Sequence, residues 1–203
     1  DFYQFNASHL LTILLSAFIF NSIYAIFMYK EYLIENLSIT VFGIIYQMSI
    51  ATLILIRQQT VLINQTDQFG SGLVMLLFLT IWICDTAAYL WGSKFGRHKL
   101  FVRISPKKTW EGAIAGFITA LMFAYLLKFI LVPSLSFRQS LFAGFVIGIV
   151  GQIGDLVESG FKRQAGVKDS SSFLPGHGGI LDRFDSPLFV APCIYIGYWI
   201  LGI

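Results

Sequence analysis

The sequence predicts an all-α, polytopic integral membrane protein, and three observations carry that prediction. The mean hydropathy is +0.73. Hydrophobic residues make up 56% of the 203 residues and charged residues only 12%, where a soluble domain carries about 25%. The apolar residues also gather into runs of bilayer length, about 20 residues for a helix. The net charge of +3 is small. It points to no nucleic-acid partner; the partner implied by composition is the lipid bilayer.

Six runs are long enough, at roughly 9–29, 37–56, 72–92, 111–132, 140–160 and 186–203, so residues 1–203 read as one membrane-embedded domain. The first has Asn21 and Ser22 near its middle, tolerable where helices face each other. The second starts beside Glu35-Asn36 and ends at Arg57. The third is interrupted by Asp85. The fourth carries Lys128 near its end, where a lysine can snorkel. The fifth holds Asp155 near its end, and the sixth holds Pro187 and Pro192. No strand is expected. Cys84 and Cys193 both lie inside apolar runs, with no CxxC spacing, and read as core thiols. The chain opens on Asp1 and not on Met, so an amino-terminal part is expected to precede it, and no basic region marks a cleavable leader before the first run.

Basic residues set the orientation. The loop 93–110 holds Lys94, Arg97, Lys99, Arg103, Lys107 and Lys108. The loop 161–185 holds Lys162, Arg163, Lys168 and Arg183, and Lys30 shares their side. Only Arg57, Lys128 and Arg138 lie opposite, so eleven basic residues face three. Both charged loops are therefore expected on the cytoplasmic side. Runs three and five then both travel toward that face, carrying Asp85 and Asp155, and Asp182 and Asp185 lie just before run six. Acids inside or beside membrane runs are costly and normally have a task. A shared polar cavity at that face is the economical expectation.

Two stretches carry the chemistry. Residues 154–185 hold five of the eleven acids and four of the fourteen Lys/Arg. Asp155, Glu158, Ser159 and Lys162 fall at helical steps of three and four, so they share a face. The chain then turns through Pro175-Gly176 to His177, Gly178 and Gly179, and on to Asp182, Arg183 and Asp185. In the other stretch, Ser105 reads as the cap of a helix beginning at Pro106. Lys107 and Lys108 would then sit at a helix start, where free N–H groups attract phosphates. An anchor to lipid headgroups is the other reading of these lysines.

The strings S-x-x-K-R-x4-K-D and P-G-H-G-G-x-x-D-R-x-D run from Ser159 to Asp185. They resemble the signature of the phosphatidate cytidylyltransferase family. D-x-x-A-Y-x-x-G-x-x-x-G from Asp85 and S-P-K-K-T-W-E-G from Ser105 are similar to it too. The resemblance implies a nucleotidyltransferase that joins CTP and phosphatidic acid into CDP-diacylglycerol and pyrophosphate. It also implies Mg²⁺, as one ion or two, and a site facing the cytoplasm of a bacterial inner membrane, or of the endoplasmic reticulum in a eukaryote. On this view Asp155, Asp182 and Asp185 are the expected metal ligands, and Lys162 joins them as a catalytic group. Asp85, Lys107, Lys108, Ser159, Arg163, Lys168, His177, Gly178, Gly179 and Arg183 are the expected substrate contacts.

Alternatives stand beside several of these roles. Asp155 could instead pair with Lys162 or Arg163, and Asp185 could orient Arg183. Asp85 could be a structural acid, and His177 a hydrogen-bonded turn residue. Glu158 and Asp169 could do no more than balance nearby lysines. A homodimer is left open. A CTP-dependent enzyme on another lipid phosphate or a polyprenol is a neighbouring alternative, and a cation channel or transporter is one from a different class.

Overall fold

A computed structural model describes residues 7–28, 33–62, 68–167, 170–171, 179 and 181–200. The first run forms helix α1 (Ala7–Met28), which contains no Asp, Glu, Lys or Arg. Apolar on all sides, it leaves Ile19, Phe20 and Phe27 exposed, as suits contact with lipid. Asn21 and Ser22 donate back to the carbonyls of Ala17 and Phe18, at 2.9 and 2.8 Å. No unpaired polar group therefore meets hydrocarbon there. The second run is two helices, α2 (Leu33–Met48) and α3 (Thr52–Leu62), joined by a 3₁₀ turn at Ser49–Ala51. Ser49 and Thr52 donate to the carbonyls of Tyr46 and Ser49 around that turn, a bonding habit that bends helices.

Helices α4 (Gln68–Phe95) and α5 (Trp110–Leu131) pack most closely. The reason is a seam of small residues at four-residue spacing: Gly112, Gly116, Ala120 and Ala124 on α5 against Cys84, Ala88 and Gly92 on α4. A Cβ added to Gly112 would lie 2.5 Å from the Ala88 carbonyl oxygen and 3.0 Å from Gly92 Cα. Both obstacles are backbone and cannot swing aside. Gly112→Ala is therefore expected to part the helices and lower stability by about 1–3 kcal/mol. Gly116→Ala meets nothing nearer than 3.0 Å and should cost less; thermal melts of the two variants check the order.

A short antiparallel hairpin joins α4 to α5, with strands β1 (Lys99–Phe101) and β2 (Ser105–Thr109). It corrects the expectation of no strand and of a helix starting at Pro106. Lys107 and Lys108 lie in a strand, and α5 begins only at Trp110, capped by Thr109, whose hydroxyl accepts from Gly112 N–H at 3.2 Å. Pro106 is tolerated because edge positions of a sheet can spare an N–H. The junction is locked: Trp110 N–H donates to the His98 carbonyl at 2.9 Å, and Glu111 lies 2.7 Å from His98 Nδ1.

The fifth run bends. Helix α6 (Phe137–Val146) starts in a capping box of Ser136 and Gln139, passes through a π-helical turn at Ile147–Gly151, and continues as α7 (Gln152–Gln164). Lys128 does not snorkel. It is 9% exposed, and its ammonium donates to the Leu135 carbonyl at 2.8 Å, closing the α5–α6 turn. The last run forms α8 (Leu181–Ile200), which packs on α3, α7 and the π turn. Ser186 is buried there and donates to the Gly151 carbonyl at 3.0 Å. Leu73, Leu77, Ile81, Ala120, Ile147, Val190 and Ile194 fill the core between these helices.

Among the described residues five helical stretches are long and apolar enough to cross a membrane: Ser8–Ala25, Ile34–Gln58, Phe69–Phe95, Trp110–Leu131 and Phe137–Gln164. The expected sixth run corresponds to α8, 20 residues long, whose charged first turn and two prolines shorten its apolar part.

Candidate active site

A cavity of about 530 Å³ opens where α4, the hairpin, α5 and α7 meet. Helical periodicity builds its first wall: Asp85, Ala88, Tyr89, Gly92 and Ser93 follow steps of three and four along α4, and Gly96 lies just past its end. Lys99 and Leu100 of β1 and Lys107, Lys108 and Thr109 of β2 form the second wall. Gly112 and Ala113 open α5 beneath them, and Gln152 and Asp155 enter from α7. The small residues of the α4–α5 seam leave the volume, and the charged ones edge it. Thr109 fits there because Gly92 and Gly96 carry no side chain; a Cβ on either would strike its side chain.

The π turn has a role in this wall. Such turns break the regular ladder and often mark functional sites. Here Gln152 Nε2 donates to the Gly148 carbonyl at 2.6 Å and to the Ala113 carbonyl at 3.0 Å. One amide thus ties α7 to the start of α5, and Asp155 follows three residues later on the same face. Asp155 Oδ2 lies 2.6 Å from Lys108 Nζ, the two side chains 33% and 26% exposed. Ser159 donates to Asp155 Oδ1 at 3.3 Å. The partner of Asp155 is therefore Lys108 of the hairpin, not the Lys162 or Arg163 weighed from sequence. Arg163 instead donates to the Ile104 carbonyl at 3.4 Å, holding the hairpin turn against α7. No carboxylate among the described residues pairs with Lys99 or Lys107.

A second polar group lies at the α7–α8 contact. Lys162 Nζ is 2.8 Å from Asp182 Oδ1 and 2.9 Å from Glu158 Oε2. Asp182 Oδ2 accepts from Gly179 N–H at 2.6 Å, Ser170 N–H at 3.0 Å and Ser170 Oγ at 2.9 Å. Burial alone would raise the pKa of Asp182, but Lys162 and these N–H donors outweigh it and hold the carboxyl well below the usual range. Asp185 Oδ1 accepts from Ser186 N–H at 2.7 Å, and Asp185 lies within reach of the charges of Asp155 and Asp85. Arg183 is exposed on the same turn.

The expected site is thus brought together in part. Asp85, Asp155, Lys107 and Lys108 share one cavity, while Lys162 and Asp182 form the neighbouring cluster. Lys168, His177 and Gly178 lie outside the described residues. Sequence reasoning passed over Lys99, Thr109 and Gln152. Gln152 had a usable signal, since it precedes Asp155 by three residues on one helix. Lys99 had none without the hairpin.

The donor set can be tested against a metal ion. Among the described residues no three His, Cys, Asp or Glu side chains are grouped to cage one, so Asp155, Asp182 and Asp185 do not stand as a ready-made triad. Asp182 has both oxygens engaged in this arrangement. Mg²⁺, however, is commonly held by one or two carboxylates plus substrate phosphates. Asp85 and Asp155, facing one cavity beside three lysines, fit an ion of that kind.

The chain matches the family model described as "Cytidylyltransferase family" over residues 1–201. A phosphatidate cytidylyltransferase of Staphylococcus haemolyticus (strain JCSC1435) is 49% identical over 131 residues, covering 64% of this chain and 50% of that protein. Those of Staphylococcus saprophyticus and Staphylococcus aureus (strain COL) are 45% and 46% identical over 132 residues, covering 65% of this chain and 51% of each relative. The chain spans about half the length of the curated relatives it matches.

Proposed function

The chain belongs to the cytidylyltransferase family, and from that premise we propose that it transfers CMP from CTP to phosphatidic acid, giving CDP-diacylglycerol and pyrophosphate. The observation that carries the reading is the cavity itself, where Asp85 and Asp155 sit beside Lys99, Lys107 and Lys108 at the end of membrane-length helices. Cationic walls suit two polyanions. The position lets acyl chains stay in hydrocarbon while the headgroup meets the nucleotide. The basic bias of the loops supports a cytoplasmic opening, where CTP is found.

A phosphatidate oxygen forms the new bond to the α-phosphorus of CTP. The bond from that phosphorus to the bridging oxygen breaks, and pyrophosphate leaves with the electron pair. The nucleophile is already anionic near neutral pH, so no strong general base is needed. The chain's task is to hold two anions in line. Lys99 and Lys107, unbalanced by carboxylates among the described residues, attract the phosphates, and Lys108 can trade Asp155 for an incoming phosphate. Asp85 and Asp155 would hold Mg²⁺, with Asp185 close by; the ion supplies charge neutralisation at the leaving group.

The test is product analysis with protein in phosphatidate-containing liposomes. Label from CTP should enter CDP-diacylglycerol with equimolar pyrophosphate. Release of CDP in place of pyrophosphate would mark a kinase and end the reading. The Lys107→Ala variant is expected to raise KM for one substrate about tenfold or more, the cost of one charge-assisted contact. Steady-state kinetics against each substrate in turn check this; unchanged KM for both would leave Lys107 a topological role only.

A further inference from the structure

Glu158 is the most deeply buried charge among the described residues, at 1% exposure, and it does not line the cavity. Tyr46 of α2 packs edge-on against Phe161 of α7 and Phe189 of α8, with ring centroids 5.9 and 5.8 Å apart, and lies within range of the Glu158 charge. Among the described residues the nearest cation is Lys162, 2.9 Å from Oε2, yet neither Glu158 oxygen receives a well-directed hydrogen bond from them. The contact is therefore electrostatic, strengthened by a dry site. A buried ion pair is weak evidence for stability, because an apolar pair of the same volume often does as well. Its use must be sought in what it orients.

Lys162 provides the answer. Its ammonium bridges Glu158 Oε2 and Asp182 Oδ1, and Asp182 in turn gathers the N–H groups of Ser170 and Gly179. We propose that Glu158 is a positioning residue: it fixes the Lys162 ammonium so that Asp182 holds Ser170 and Gly179 against the start of α8. Any effect on turnover rests on the cytidylyltransferase reading; the effect on backbone protection does not.

Site-resolved hydrogen exchange on the full chain in detergent, comparing wild type with Glu158→Gln, tests this. The Ser170 and Gly179 amides should exchange about tenfold faster in the variant, while amides of the α4–α5 seam keep their rates. Ser170→Ala, at an exposed residue, supplies a second arm that leaves the buried pair untouched: Gly179 alone should speed up, by less. In kinetics Glu158→Gln should lower kcat about tenfold or more with little change in KM for CTP, and Glu158→Asp should recover part of it. Unchanged Ser170 and Gly179 exchange in Glu158→Gln, or equal acceleration throughout the chain, overturns the proposal. A wild type without CMP-transfer activity would overturn only the functional reading, because the exchange arm is read independently.

Discussion

Asp155→Asn should leave a folded protein with kcat reduced on the order of a hundred- to thousandfold, the range seen when one electrostatic contributor to a transition state is lost. Asp155 is a third exposed, and asparagine has its shape, so packing on α7 survives. What changes is charge. Lys108 loses its partner 2.6 Å away, the cavity loses one of its two carboxylates, and Ser159 keeps an acceptor. Two causes could then lower the rate, a stray Lys108 or a weakened grip on Mg²⁺, and they separate cleanly. If Lys108 is the cause, Asp155→Asn combined with Lys108→Ala should be no worse than the single change. If the carboxylate holds Mg²⁺, activity should climb with Mg²⁺ well past the wild-type plateau. Turnover with unchanged Mg²⁺ dependence in Asp155→Asn removes this residue from the catalytic machinery.

The spans were legible because lipid asks only for apolar length, which composition reveals without any knowledge of contacts. Asp85 and Asp155 were legible for a related reason: an acid inside such a run stands out, and loop charge placed both at one face. The hairpin was not. Ser105-Pro106 is an equally good helix opening, and strands of three and five residues rich in lysine show no period-two pattern. What decided it was tertiary: His98, Glu111, Thr109 and Gly112 close the junction together. The Lys108–Asp155 pair was equally hidden, because nothing local links two residues so far apart in the chain when Lys162 and Arg163 lie about two turns away. From sequence Glu158 could do no more than balance nearby lysines. Its burial arises as α7 packs against other helices, α8 among them, which no pattern on α7 reports.

Asp182→Asn should be nearly as damaging as Asp155→Asn, and for a different reason. The carboxylate at 182 meets donors only: the Lys162 ammonium on Oδ1, and Ser170 N–H, Ser170 Oγ and Gly179 N–H on Oδ2. An asparagine offers one acceptor and one NH₂. Turned either way, its NH₂ faces a donor, Lys162 in one orientation and two backbone N–H groups in the other. In the first orientation Lys162 is left with Glu158 alone; in the second Ser170 and Gly179 lose their common anchor. A loss of about 1–3 kcal/mol of stability follows from leaving such groups unpaired, with kcat down about a hundredfold as the segment leading into α8 shifts. The pH dependence identifies the cause. A carboxyl held below its ordinary pKa adds stability that is fully present above the unfolded-state value, about 3.9 for aspartate, and is lost as pH falls through that value toward the folded one. The wild type should therefore melt well above the variant at neutral pH, and the gap should narrow as the buffer is taken into the acid range. A gap that stays constant down to the acid limit would mean that Asp182 stabilises by shape rather than charge, and the anchoring role would fall with it.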